Sequence, residues 1–238
     1  MTVVYVDTEH DRVLRDATLG PRHQGKIEKI RACLAAVAGV PCLSRRFSEI
    51  DPEAVERLAP GTVVIGGNTT DWAAFETATL AGLLAVIRLA PVPILGICAG
   101  HQLIGFAHGA RWGPLGALQE GEGDPDPRFA PGQRKERGFL PVEIDVSCPL
   151  FHGLEASPSF FQSHYWQLED TPPDFVSRAS SRWSPIQAIE RRDRPVFGVQ
   201  FHPERSDDAH PDGATVLRNF FGLTGKRGVP TRRGPVTG

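Results

Sequence analysis

Residues 93–102 read PILGICAGHQ: a short apolar run, one cysteine, then small residues that lead into a helical pattern. Two physical readings of Cys98 compete at that junction. As packing, cysteine is a small hydrophobe and among the most buried residue types. As chemistry, a strand-to-helix turn exposes one side chain at the top of a sheet and aims a helix N-terminus at it, which suits a nucleophile. The rest of the chain has to decide between them.

Outward from Cys98, short β-branched runs alternate with helical patterns. VVYV at 3–6 precedes an amphipathic stretch from about Lys26 to Ala38; VPCL, a short helix near 52–58 and VVI at 63–65 follow. A helix from about Ala73 to Leu89 leads into PILGI, and AGHQLIGFAHG comes after it. That order predicts a mostly parallel sheet with helices on both faces. Ligands of such sheets bind at the carboxyl ends of the strands, where Gly66, Gly67 and Cys98 fall. Residues 113–138, rich in Gly, Pro and charge, read as a long surface loop or flap. Beyond them FLPVEIDV, SFFQSHYW, FVSRAS, PIQAIE and PVFGVQF read as strands that extend the sheet in antiparallel fashion, with a last helix over about 213–222.

Composition narrows the function classes. The 238 residues carry 26 Lys and Arg against 28 Asp and Glu, with the basic residues scattered, so no nucleic-acid footprint is indicated. Cys33, Cys42, Cys98 and Cys148 show no CxxC spacing; free thiols in a reducing cytoplasm are expected, with neither metal nor cofactor. MTVVYVDTEHD lacks a basic segment ahead of its apolar run and reads as a strand, not a signal peptide. Arg88, Pro91 and Pro93 break the apolar stretch 80–98, which removes it as a membrane span.

A nucleophilic cysteine needs a base beside it, a group that orients the base, and donors for an oxyanion. VFGVQFHPERSDD at 196–208 offers the first two: Pro203 ends a β-run, and the i, i+2 spacing lets Glu204 return to the imidazole of His202. Alone, such a histidine more often caps a strand at the surface. Together with Cys98 it supplies nucleophile, base and orienter, each at a strand end.

GICAGHQ followed about a hundred residues later by GVQFHPE resembles the class I glutamine amidotransferases, over most of the chain from residue 2 to about 223. The C-terminal half is most similar to stand-alone glutaminase subunits of the GMP synthetase type. The resemblance implies a three-layer, flavodoxin-like open α/β sheet, mostly parallel with an antiparallel extension, as one domain over 1–224. It makes Cys98 the nucleophile and His202 and Glu204 its partners, with Gly67 and Ala99 forming the oxyanion hole. Gln102 and the Ser163–His164–Tyr165 segment then contact substrate. The implied activity is hydrolysis of the side-chain amide of L-glutamine through a cysteinyl thioester, with ammonia passed to a separate synthetase chain. A γ-glutamyl amide hydrolase or peptidase with water as acceptor is the alternative, and a non-enzymatic binding relative a third reading.

Two stretches depart from the family pattern. The oxyanion strand continues Gly66-Gly67-Asn68-Thr69-Thr70 where the family commonly has proline, and both the segment after β-run 3–6 and the 113–138 loop are longer than a minimal glutaminase needs. His101 and His108 are read as packing residues, as are Cys33, Cys42 and Cys148. Trp72, Trp112, Trp166 and Trp183 suggest no platform from sequence. KRGVPTRRGPVTG, within the expected tail 225–238, has little to bury and is expected to be disordered.

Overall fold

A computed structural model describes residues 1–225, so all but the first residue of the expected tail lies outside the described residues. In chain order the elements are β1 (Val3–Asp7), α1 (Asp11–Arg15), α2 (Leu19–Ala38), β2 (Cys42–Arg46), α3 (Pro52–Leu58) and β3 (Thr62–Ile65). Then come α4 (Thr77–Leu89), β4 (Ile94–Ile97), α5 (Ala99–Ala107), β5 (Trp112–Pro114), β6 (Glu136–Pro141) and β7 (Glu143–Ile144). The remainder is β8 (Ser159–His164), β9 (Trp166–Leu168), β10 (Phe175–Ser180), β11 (Ala188–Arg191), β12 (Val196–Val199) and α6 (Asp212–Gly225).

Eight strands form one sheet in the order β2-β1-β3-β4-β12-β11-β10-β7. β1, β3, β4 and β12 are buried along their whole length, which explains why they read as unbroken apolar runs: helices cover both faces. The pleat sends Val4, Val6, Val63 and Ile65 to one face, where they meet Leu83, Ile87 and Leu103 of α4 and α5. Val3, Tyr5, Val64 and Leu95 go to the other, against Leu34 of α2 and Leu217 and Phe220 of α6. Each such side chain contributes roughly 1.5–3 kcal/mol on burial. Leu83→Ala would cost about 2–5 kcal/mol, because Leu83 is fully enclosed.

Local signals set the helix ends. Asp51 accepts from Ala54 N–H at 2.7 Å and Pro52 opens α3, where its missing N–H costs nothing. Gly39, at φ 67°, closes α2. That helix begins at Leu19, well before the expected Lys26, and tolerates Pro21 because the first turn has unpaired amides anyway. α4 starts at Thr77, after a separate 3-10 turn at Trp72–Ala74 capped by Asp71.

Two expectations about the second half are corrected. β12 does not extend the sheet antiparallel; it pairs parallel with β4, in the register Val199↔Ile97, and only β11, β10 and β7 add antiparallel. SFFQSHYW leaves the sheet altogether: β8 pairs with β6 and β9 with β5 as separate ribbons. The burial of β8 alternates, with one face packed inward and the other half-buried. The 113–138 segment has internal order. The Lys135 ammonium is buried in it, donating to Asp124 Oδ1 at 2.8 Å and to the carbonyls of Asp126, Phe129 and Ala130. Among the described residues no helix is long and apolar enough to cross a membrane.

Candidate active site

Parallel pairing of β4 with β12 brings the ends of those two strands side by side, and with them Cys98 and the Gln200–Glu204 segment. Cys98 sits in the step from β4 into α5 at φ 54°, ψ −107°, a conformation that costs a non-glycine residue on the order of 1–3 kcal/mol. Its amide donates to Val199 carbonyl at 2.8 Å, which locks the turn to β12. Close packing beneath the turn needs Gly100: a Cβ there would lie 2.2 Å from the Ile65 carbonyl oxygen.

His202 Nδ1 lies 2.8 Å from Glu204 Oε1, so the Nδ1–H donates to the carboxylate and Nε2 is left to face the Cys98 sulfur. Both side chains are nearly excluded from water, at 6% and 4% exposure. Burial alone would lower the imidazole pKa; the Glu204 carboxylate and the charge and hydrogen bond of Cys98 outweigh it and push His202 up to about 9. Burial raises the Glu204 carboxyl, but the charge and hydrogen bond of His202, helped by Lys26, hold it below the usual carboxylate range. Gly67 fits between the two: a Cβ on it would lie 3.2 Å from both Cys98 Cβ and His202 Cε1. Ala99 opens α5, so its N–H belongs to the unclaimed first turn of the helix.

A cavity over the sulfur is lined by Cys98, Ala99, Gln102, Ser163, His164 and Tyr165, together with Asn68–Trp72, Phe129 and Trp166. All nine residues singled out from sequence are thus brought to one end of the sheet: six line this cavity, Gly67 packs against Cys98 and His202, and Glu204 pairs with His202. Gln102 borders the cavity, yet its amide is committed inside the protein. Nε2 donates to Trp166 carbonyl and Gln200 Oε1, both at 3.0 Å, and Oε1 accepts from Trp72 Nε1 at 3.1 Å. Gln200 in turn points Nε2 at Cys98 Sγ, 3.7 Å away. The His164 ring turns inward: Nδ1 lies 2.9 Å from Trp166 carbonyl and Nε2 3.0 Å from Glu136 Oε2. The same Glu136 oxygen accepts from Gln187 Nε2 at 2.7 Å, and that amide nitrogen lies 3.4 Å from His164 Nε2.

Sequence reading missed three features. Asp71 is the one carboxylate lining the cavity, and Tyr165 Oη reaches its Oδ2 at 3.5 Å. Its 3-10 cap position was the available signal. Glu9, with no exposure at all, binds the Gly66–Thr70 loop from sixty residues away, and Thr8 Oγ1 donates to Gly66 carbonyl at 3.0 Å. Finally, Trp72, Trp112 and Trp166 form one aromatic cluster with Phe106, with Trp72 and Trp112 stacked at 5.2 Å. Burial raises the other thiols: Cys33 upward, Cys42 to about 11 and Cys148 to about 12. No group of three or more His, Cys, Asp or Glu among the described residues is placed to hold a metal ion.

With this geometry in hand, comparison with known proteins is specific. The family model "Glutamine amidotransferase class-I" matches residues 27–223. A glutamine-hydrolysing GMP synthase subunit of Pyrococcus abyssi is 35% identical over 135 residues, 57% of this chain and 62% of that protein. The glutamine-hydrolysing GMP synthase subunit of Methanopyrus kandleri is 32% identical over 176 residues, 74% of this chain and 82% of that one. The match therefore spans less than two thirds of the Pyrococcus relative. In fold, a Thermoplasma acidophilum protein described as a putative GMP synthase subunit superposes with TM-score 0.71 at 23% identity, covering 94% of both chains. A Thermotoga maritima glutamine amidotransferase gives 0.63 at 17% identity, over 95% of this chain and 98% of that one.

Proposed function

The chain belongs to the class I glutamine amidotransferase family, and from that premise we propose that residues 1–224 form a glutaminase that hydrolyses the side-chain amide of L-glutamine. Cys98 Sγ attacks the amide carbon, and its proton resides on His202. The carbonyl oxygen takes up negative charge against the N–H groups of Gly67 and Ala99. As the C–N bond breaks, His202 protonates the nitrogen and ammonia leaves, with a γ-glutamyl thioester on Cys98. Water, deprotonated by His202, then attacks the thioester and releases glutamate. Glu204 holds the imidazole in the tautomer this shuttle needs.

The observation that carries the reading is the placement of a positive-φ cysteine beside a buried His–Glu pair, with Gly67 packed against both. Substrate enters between the Gly66–Thr70 loop and Ser163–Tyr165. A free amino acid must be gripped at its charged end to place its amide on the sulfur, and the Asp71 carboxylate is suited to the α-ammonium. Gln102 braces this wall through Trp166 and Gln200, keeping one lone pair of Oε1 for substrate.

The ammonia goes to a separate synthetase chain. Support comes from the relatives, which are named as subunits of a glutamine-hydrolysing GMP synthase. Free, unpaired cysteines fit action in the reducing cytoplasm. The test is glutamate and ammonia release from L-glutamine by wild type and Cys98→Ala. Release by wild type and none by the variant is expected; equal release by both overturns the assignment. Faster turnover of γ-glutamyl amides than of glutamine would support the hydrolase alternative instead.

A further inference from the structure

Behind Glu204, on the side away from Cys98, a second concavity is lined by Arg22, Lys26 and Lys29 of α2 and by Arg137 and Arg205. The three α2 cations stand at i, i+4 and i+7, so they share one helix face and span about 10 Å along it. Among the described residues none of Arg22, Lys26, Lys29 or Arg205 has an ion-pair partner. Elsewhere Arg31, Arg46, Arg111, Arg134, Arg178 and Arg191 each find a carboxylate. Arg205 is held flat over the Phe161 ring at 3.6 Å, and Arg137 donates to Ser163 Oγ while its Nε pairs with Asp126, so two of the guanidinium groups are already oriented. The one carboxylate in the wall is Glu204, committed to His202.

Four cations without a close ion pair, two of which feel only the charge of a carboxylate already committed to His202, call for an anion. A single phosphate is a poor match. The donors are long side chains spread over several residues, with no glycine-rich turn of backbone amides to cradle phosphate oxygens. A segment carrying several separated carboxylates matches the row on α2, and the positive end of that helix adds to the attraction. We infer that this cleft docks an acidic segment of the protein that receives the ammonia. The identity of that partner rests on the function proposed above; the acidic chemistry of the occupant does not.

The position of the cleft ties docking to the site. Thr69 and Ser163 line both the cleft and the cavity over Cys98, and Glu204, which lines the cleft, pairs with His202. An acidic segment seated on Arg137 and Arg205 therefore bears on the loop that carries Gly67 and on the strand that faces the substrate. Docking and glutamine hydrolysis are coupled through these shared residues.

The test is fluorescence anisotropy of a labelled octaglutamate peptide titrated with the full chain. Wild type is expected to bind, and Arg22→Glu/Lys26→Glu/Lys29→Glu to weaken binding by about tenfold or more. A control with the same charge change at exposed residues outside the cleft lining, Arg57→Glu/Arg111→Glu/Arg192→Glu, should change it by less than about twofold, since exposed charges away from the contact are screened. No binding by wild type, equal losses in both variants, or displacement of the peptide by equimolar inorganic phosphate each overturns the inference. This readout needs no glutamine: a chain that binds the peptide but does not hydrolyse glutamine refutes the function proposed above and leaves the acidic cleft standing.

Discussion

The Glu9 carboxylate accepts both the backbone N–H and the hydroxyl of Thr69 through one oxygen, at 2.8 and 2.7 Å. Its other oxygen accepts from Thr70 Oγ1 at 3.0 Å and from His10 N–H at 2.9 Å. A fully buried carboxylate with four donors fixes the loop that follows Gly67, where the sequence has Asn-Thr-Thr in place of the family's proline. Glu9→Ala leaves those donors unpaired and should destabilise the protein by about 3–5 kcal/mol, read from urea unfolding. Glu9→Gln keeps the shape but turns an amide NH2 toward donors. It should fold, and lower kcat on glutamine more than it raises KM. Normal kcat in a folded Glu9→Gln protein would remove Glu9 from the positioning of the loop.

Alkylation should single out one cysteine. A glutamine-like diazoketone is expected to label Cys98, beside the imidazole and open to the cavity, and to spare Cys33, Cys42 and Cys148, whose thiols burial pushes up. Peptide mass mapping after partial labelling reads the outcome. Prior incubation with glutamine should slow labelling, and labelling spread over several cysteines would contradict the placement.

The His202 shift sets a pH dependence of stability. Its folded pKa, about 9, stands above the ordinary value of about 6.5. Between those values the folded state binds more protons than the unfolded one, so this contribution is complete below about pH 6.5 and is lost as pH rises through about 9. Melting temperature should fall across that window in wild type. The fall should shrink in Cys98→Ala, which lacks the sulfur, and shrink further in His202→Asn. In the same range kcat/KM should decline as the imidazolium that protonates the leaving nitrogen is lost. A melting profile identical in wild type and His202→Asn would refute the shift.

Asp71 separates binding from chemistry. Asp71→Asn keeps the hydrogen-bonding outline of the 3-10 turn but removes the charge offered to the α-ammonium of glutamine. KM should rise about tenfold, the loss of one charge-assisted contact of about 1.4 kcal/mol, while kcat stays within about twofold. A lower kcat at unchanged KM would place Asp71 in the chemistry instead.

What was legible from sequence has a common physical origin. Cys98 at the end of an apolar strand, Pro203 stopping the next one, and Glu204 two residues beyond His202 are local relations, encoded by burial pattern and by backbone restrictions over a few residues. The parallel alternation of β1, β3 and β4 with helices could be read in the same way, because strands covered on both faces must be apolar throughout. Chain distance hid the rest. Which strand lies beside β4, and in which direction, decides whether His202 meets Cys98, and no local propensity distinguishes a parallel β12 from an antiparallel one. The departure of β8 from the sheet was equally hidden, since β10 alternates in the same way and stays in it. Glu9 reaching Thr69, Gln200 bridging Gln102 and Cys98, and cations from three separate segments facing one cleft depend on strand register and on how loops at one sheet edge interlock. Those contacts are made between groups far apart in the chain, so only the assembled tertiary structure could select them.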